Sequence, residues 1–246
     1  MGYAGASDLG LHGVSVVIPA LNEAENIAAV VRELPWDLIR ECIVVDNGST
    51  DATAAEASAA GARVVHQPQP GYGRACAAGA AAADHGSDIL VFMDGDGSDV
   101  SAEMGQLLQP ILAGESDFVI GSRMRGKREP GSMLISQVFA GWLAGLLLRL
   151  LYRVRYTDMG PFRAITRDAL SRLPMREETY GWNLEMQMRA AQCGLRIREI
   201  PVSYRNRAGG VSKVAGSLSG SVRAAIRISQ TLLRVASNRG GKIREI

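Results

Sequence analysis

The chain is expected to fold as an α/β domain around a Rossmann-like, mostly parallel central sheet flanked by helices, with amphipathic helices in its C-terminal half. Two features lead there. Short apolar runs rich in β-branched residues recur between residues 13 and 121, separated by stretches of helix length. Polar and glycine-rich turns close several of these runs, just past the strand C-termini where open α/β sheets place their ligand crevices. Four strands with helical crossovers before a fifth make parallel pairing the economical arrangement.

Gly13–Pro19 reads as the first strand, followed by AlaLeuAsnGluAlaGluAsn and a helix to about Leu34. Asn22 suits the N-cap of that helix and Glu23 and Glu25 its acidic first turn, a capping role as open as a ligand role. Glu41–Val45 is the second strand and runs into AspAsnGlySerThrAspAlaThr, with an alanine-rich helix to Ala60. Asp46, at that strand's end, could accept hydrogen bonds from a base or ribose, while Ser49 or Asp51 could cap the helix. Ala62–His66 is a short third strand. The glycine-rich segment Gln69–Gly79 then enters another small-residue helix, so Arg74 inside it suits a phosphate contact, although tight packing calls for the same glycines.

The most informative stretch is Ile89–Asp99, a five-residue apolar strand that runs into three carboxylates separated by glycines. A strand would send Asp94 and Asp96 to opposite faces, whereas the glycines let both reach one hard cation such as Mg²⁺ or Mn²⁺. A solvated Asp/Gly turn is the plain alternative. A helix over Ser101–Leu112, a fifth strand over Asp117–Gly121 and the basic segment Ser122–Arg128 complete this half.

The second half changes character. Pro130–Leu148 holds 19 residues without a formal charge. Its polar residues and the following Arg149, Arg153 and Arg155 favour a helix in the membrane interface, or packed on the domain, over a span. Thr157–Asp168 reads as a turn, a strand and a helix start, Glu178–Gly194 as a helix carrying Glu185, and Leu195–Tyr204 as an alternating strand. Arg205–Lys213 is a basic loop suited to ordering over bound phosphate, or simply to solvent. In a helix over Ser217–Val235, Arg223, Arg227 and Arg234 share one arc of roughly 40°, with Leu218, Val222, Ile226, Leu232 and Leu233 opposite. That face fits a membrane surface or the domain itself.

A chain of 246 residues suits one domain with at most a small appendage. Cys42, Cys76 and Cys193 form no CxxC, which argues against a disulfide framework or a zinc site and for a reducing cytoplasm. The N-terminus lacks the basic start and apolar core of a signal peptide. The net charge of +2 hides an asymmetry: residues 1–122 carry 4 Lys/Arg against 17 Asp/Glu, and residues 123–246 carry 23 against 8. An acidic half that can hold metal faces a basic half that can hold phosphates or an anionic membrane.

In order, ValValIleProAlaLeuAsnGlu, AspAsnGlySerThrAspAlaThr, GlyTyrGlyArg, AspGlyAspGlySerAsp, GlySerArg and ArgxArgxGlyGlyxSerLys resemble the motifs of family 2 glycosyltransferases with a GT-A fold. Within that family the set is most similar to the dolichyl-phosphate mannosyltransferase branch, the polyprenyl-phosphate glycosyltransferases, from about Val14 to Lys213. The resemblance implies that Pro19, Ala20, Asn22, Glu23, Asp46 and Ser49 surround the nucleotide. Arg74 and Gly95 would lie near the donor, and Asp94 and Asp96 would bind the cation on its diphosphate. Arg123, Ser136, Arg205, Arg207, Ser212 and Lys213 would hold donor or acceptor phosphates, with Asp94, Asp96 and Arg123 as the catalytic set. Ser98 stands where the family usually has an amide, and no second arginine precedes Ser136 in the family's place. The implied organisation is an N-terminal stretch over 1–12, a GT-A domain over 13–213 with nucleotide-sugar (13–122) and acceptor (123–213) halves, and a basic tail over 214–246.

The expected reaction is inverting transfer of a sugar from a nucleotide-diphosphate sugar, of GDP-mannose or UDP-glucose type, to a polyprenyl phosphate at the cytoplasmic face of a membrane. A phosphate acceptor is already anionic near neutral pH and needs positioning more than a base. This agrees with the lack of His beyond His85. A hydroxyl acceptor would need a base, for which Asp99, Glu178 or Glu185 are the candidates. Nucleotidyl transfer to a sugar phosphate, or a silent nucleotide-sugar-binding or membrane scaffold protein, are the other readings. No nucleic-acid partner is expected.

Overall fold

The computed structural model describes residues 13–209 and 230–236. Its first half alternates strand and helix: β1 (Gly13–Ala20), α1 (Ile27–Arg32), β2 (Glu41–Asp46), α2 (Thr53–Ala59), β3 (Arg63–His66), α3 (Tyr72–Ala82) and β4 (Ser87–Phe92). A 3₁₀ turn at Ser101–Glu103 leads into α4 (Met104–Leu112) and β5 (Phe118–Ser122). The second half supplies α5 (Ile135–Tyr152), β6 (Arg163–Thr166), α6 (Arg167–Ser171), α7 (Trp182–Gln192) and β7 (Ile197–Pro201).

These strands form one seven-stranded sheet in the order β3-β2-β1-β4-β6-β5-β7. Pairing is parallel except around β6, which runs antiparallel to both β4 and β5. The expected mostly parallel α/β sheet is therefore present, but β5 does not lie beside β4. A strand from the second half is inserted between them. Because β6 is only four residues long and pairs with strands distant in sequence, nothing local announces where it inserts.

Alternation along β1 divides the core. Val14, Val16 and Ile18 face a layer with α1 and α4, while Val17 faces the layer with α3 and α7. Each fully buried Val, Ile or Phe contributes roughly 1.5–3 kcal/mol, so these two faces are the main source of stability. Helix α3 lies close on the sheet because Gly79 has no side chain: a Cβ there would meet Val17 Cγ1 at 2.3 Å. That closeness sets where the N-terminus of α3 reaches the site.

The first helix starts later than the sequence indicates, and Asn22 does not cap it. Asn22 takes a left-handed φ of 51°, and α1 carries no acidic residue in its first turn. Residues 22–24 instead bond across to the β2–α2 loop, as described below. The charge-free stretch does form helix α5, which buries Ala144 and Leu148 yet leaves Trp142 59% and Leu150 72% exposed. No helix among the described residues is long and apolar enough to cross a membrane. Residues 230–236 are helical and insert Val235 into the core. Arg223 and Arg227 lie outside the described residues. Arg234 turns towards the protein, pairing with Glu177 at 2.9 Å.

Candidate functional site

The C-terminal ends of β1, β2, β4 and β5 open on one side of the sheet: β1, β2 and β4 pair in parallel, and two successive antiparallel pairings through β6 return β5 to the same direction. They deliver Pro19 and Ala20, Asp46, the turn Asp94–Asp99, and Arg123.

The turn after β4 is built by its own carboxylates. Asp99 Oδ2 accepts the Asp94 amide at 3.0 Å. Asp96 Oδ1 accepts the Ser98 amide at 3.0 Å and its hydroxyl at 2.5 Å. Ser98, an open residue in the sequence, thus holds Asp96 in place. Tyr72 Oη, from the first turn of α3, donates to Asp94 Oδ1 at 3.3 Å. Burial, reinforced by the Asp96 and Asp99 charges, pushes the Asp94 carboxyl well above the usual carboxylate range. Burial also raises Asp99 to about 7, against the pull of the Asp94 amide and Arg123. Asp99 Oδ1 is buried without a hydrogen-bond partner.

Crowded carboxylates with an orphaned oxygen are unfavourable unless positive charge arrives, and an all-oxygen donor set fits a hard cation such as Mg²⁺ or Mn²⁺. Among the described residues no three His, Cys, Asp or Glu side chains form a cage for an ion. Asp94 and Asp96 could therefore hold a cation only with oxygens from elsewhere, such as those of a diphosphate.

On the β1–β2 side, Ser49 Oγ accepts the Asn22 amide at 2.9 Å, and Asn22 Oδ1 accepts the Thr50 amide at 2.8 Å. Ser49 therefore ties down Asn22 instead of capping α2, whereas Asp51 Oδ1 accepts the Thr53 amide at 3.0 Å at the helix start. The Glu23 amide donates to Thr53 Oγ1 at 2.8 Å. Asp46 Oδ1 accepts the Ser49 amide at 3.0 Å, and its Oδ2 lies 3.3 Å from His66 Nδ1. Asn47, which no local signal singles out, organises the next loop. Its Nδ2 donates to the Gln67 and Gln69 carbonyls at 3.0 and 2.8 Å, and its Oδ1 accepts the Gly71 amide at 2.7 Å.

The glycines around Arg74 serve packing. A Cβ on Gly71 or Gly73 would lie 2.3 Å from the Glu178 or Glu177 carbonyl oxygen. Arg74 pairs with Glu178 and donates to the Pro70 carbonyl at 2.9 Å. The Glu177–Glu178 segment thereby becomes one wall of the crevice.

Arg123, 15% exposed on its side chain, is held by a residue the sequence did not single out. Asp158 Oδ2 accepts its backbone amide at 2.9 Å and its Nε at 2.7 Å, and Oδ1 accepts Nη2 at 2.8 Å. Its guanidinium carbon lies 4.9 Å from the Tyr204 ring centroid. Burial pushes Asp158 up, but the Arg123 hydrogen bonds outweigh it and keep the carboxyl below the usual range. Tyr204 also bridges to Asp99 on one side and Arg128 on the other. A turn aspartate in ThrAspMetGlyPro was the only sequence signal for Asp158, and no spacing rule links it to Arg123.

Of the distal basic residues, Arg207 reaches the crevice. Its Nη1 lies 3.1 Å from Asp96 Oδ2, and its Nη2 pairs with Glu23 Oε1. Arg205 instead pairs with Glu33 at 3.2 Å. Ser136 lies on the first turn of α5, and Ser212 and Lys213 lie outside the described residues. Gly95 sits against Ile18 and Ile27, where a Cβ would meet both at 3.2 Å. Glu185 Oε2 accepts the Arg176 and Glu177 amides at 2.8 and 2.5 Å, which commits it to the fold.

Residues 15–174 match the sequence model of Glycosyl transferase family 2. An uncharacterized glycosyltransferase of Mycobacterium tuberculosis is 39% identical over 211 residues, covering 85% of this chain and 93% of its own length. The undecaprenyl-phosphate mannosyltransferase of Micrococcus luteus is 31% identical over 224 residues, covering 84% of this chain and 89% of its own. Among solved structures, glucosyl-3-phosphoglycerate synthase from Mycobacterium tuberculosis, in complex with Mn²⁺, UDP-glucose and phosphoglyceric acid, superposes with a TM-score of 0.74 at 26% identity. That match covers 94% of this chain and 82% of the other.

Proposed function

The chain belongs to glycosyl transferase family 2, and from that premise we propose that it transfers a sugar, with inversion, from a nucleotide-diphosphate sugar to a polyprenyl phosphate. The observation that carries this reading is the turn Asp94–Asp99 at the end of β4, crowded with carboxylates and faced by Arg123 and Arg207. In this reading Asn22, Glu23, Asp46 and Ser49 form the nucleotide side, with Pro19 and Ala20 behind them. Asp94 and Asp96 hold a divalent cation, which when bound neutralises charge on the departing diphosphate. Arg123, fixed by Asp158 and stacked on Tyr204, presents positive charge without having to reorganise. A phosphate acceptor brings its own negative charge, so the residues of the acceptor half orient it and need abstract no proton.

The mannosyltransferase relative supports the lipid acceptor. So does the exposed Trp142, Leu146 and Leu150 stripe of α5 beside Arg149, which suits a peripheral position at the cytoplasmic face. The likeness to glucosyl-3-phosphoglycerate synthase favours a second reading, a soluble hydroxyl acceptor. Asp99, buried and raised to about 7, is the base it would use.

A panel of GDP- and UDP-sugars with Mg²⁺ or Mn²⁺, offered polyprenyl phosphate and phosphoglyceric acid in parallel and read by product mass, tests the proposal. A glycosylated polyprenyl phosphate is expected; product from phosphoglyceric acid alone would overturn the lipid acceptor. Asp94→Ala or Asp96→Ala is expected to abolish turnover, and full wild-type activity in EDTA would sink the cation assignment.

A further inference from the structure

We propose that Arg207 is a built-in counter-ion for Asp96 and Glu23, and that a divalent cation enters by displacing it and so frees the guanidinium for phosphate. The proposal rests on the reading of the site given above and specifies the order in which that site fills.

All three guanidinium nitrogens are committed. Nη1 binds Asp96 Oδ2 at 3.1 Å, Nη2 pairs with Glu23, and Nε donates to the Gly209 carbonyl at 2.8 Å. The surrounding segment is seated on the same turn. The Arg205 amide donates to the Ser98 carbonyl at 2.9 Å and the Ala208 amide to the Asp96 carbonyl at 3.2 Å. Asn26 Nδ2 closes the far side, donating to Glu23 Oε2 at 2.9 Å and to the Gly209 carbonyl at 3.2 Å. One side chain thus straps the loop after β1 to the turn after β4, across the crevice between two neighbouring strands.

Arginine keeps its proton at any ordinary pH. It can leave these carboxylates only in exchange for another cation, or when a stronger anion draws it away. Asp96 Oδ1 is taken by Ser98, so a metal ion seeking Asp96 must compete with Arg207 for Oδ2. A ligand that requires the displaced state has its affinity lowered by the fraction of molecules still closed. A diphosphate arriving with the cation offers the guanidinium a bidentate partner. Cation and diphosphate therefore bind cooperatively, and the phosphate grip expected of this loop becomes available only after the donor side has filled.

The test measures Mn²⁺ binding to the full chain without nucleotide, from the electron paramagnetic resonance signal of the free ion. Wild type, Arg207→Gln and Arg198→Gln are compared, the last removing an equal charge from the surface pair with Glu115. Arg207→Gln is expected to bind Mn²⁺ about three- to ten-fold more tightly, with Arg198→Gln close to wild type. With Mn²⁺ present, Arg207→Gln is expected to bind UDP or GDP several-fold more weakly, an opposite sign that simple loosening of the loop would not give. Equal Mn²⁺ affinity in wild type and Arg207→Gln, with Asp96→Asn weakening both, overturns the displacement and leaves the carboxylate site standing. An equal gain in Arg198→Gln reduces the effect to net charge and also overturns it. Failure of wild type and Arg207→Gln alike to bind Mn²⁺ without nucleotide overturns the displacement, while the cation assignment stands or falls separately on the EDTA test.

Discussion

Replacing Asp158 with Asn tests how Arg123 is held. The carboxylate is 3% exposed on its side chain and receives three Arg123 donors at 2.7–2.9 Å, with the Met159 amide as a fourth at 2.7 Å. An amide keeps the shape but turns one acceptor into a donor that faces Nη2 or Nε, and it strips the partly buried guanidinium of its counter-charge. Breaking a buried pair from one side costs roughly 3–5 kcal/mol. For a chain of this size each kcal/mol moves Tm by about 2–4 °C, so Asp158→Asn is expected to melt roughly 6–20 °C below wild type by calorimetry. Adding Arg123→Met removes the stranded charge and is expected to restore part of the loss. The acid limb supplies a second check. The folded Asp158 carboxyl titrates below its unfolded value of about 3.9, so its contribution is complete above that pH and fades as pH falls through the folded value. Asp158→Asn is expected to flatten stability against pH below about 4. A variant melting within about 2 °C of wild type, with an unchanged acid limb, would refute the account.

Other outcomes follow from packing and burial. Gly79→Ala forces a methyl to within 2.3 Å of Val17 Cγ1 and is expected to cost about 1–3 kcal/mol in urea unfolding. Phe92→Ala empties a buried site against Trp182 and is expected to cost about 3–5 kcal/mol. Burial pushes the Cys42 thiol up to about 12 and Cys76 higher still. In the native protein Cys193 is therefore expected to react with a thiol reagent well before the other two, whose labelling should appear only on unfolding; fast labelling of Cys42 would contradict the packing.

Much of the first half is legible without coordinates because its signals are local. A five-residue apolar run that ends in AspGlyAspGly specifies both a buried strand and a turn of carboxylates at its end. What is not legible depends on approach between distant segments. Asn22 and Glu23 read as helix-capping residues, yet their amides go to Ser49 and Thr53 because two loops at neighbouring strand ends lie side by side. The antiparallel β6 offers only four residues, and its place between β4 and β5 is set by pairings with strands distant in sequence. Asp158 looks like any turn aspartate until Arg123, 35 residues earlier, is folded against it. Arg207 reads in the sequence as basic and phosphate-seeking, but its resting partners are carboxylates contributed by two other loops.

The wall formed by Glu177 and Glu178 ties the last described helix to the crevice at the strand ends. Its carbonyls lie against Gly71 and Gly73, while its other side is gripped by Thr231 and Arg234, which bind Glu177 Oε2 at 2.8 and 2.9 Å. The last described helix therefore acts as a keystone, bracing from behind a surface assembled far earlier in the chain. Its two polar residues and the glycines of α3 are mechanically one unit. Exchanging C-terminal segments between relatives would consequently change the seat of α3, and with it Tyr72 on Asp94, without touching any residue that faces the crevice.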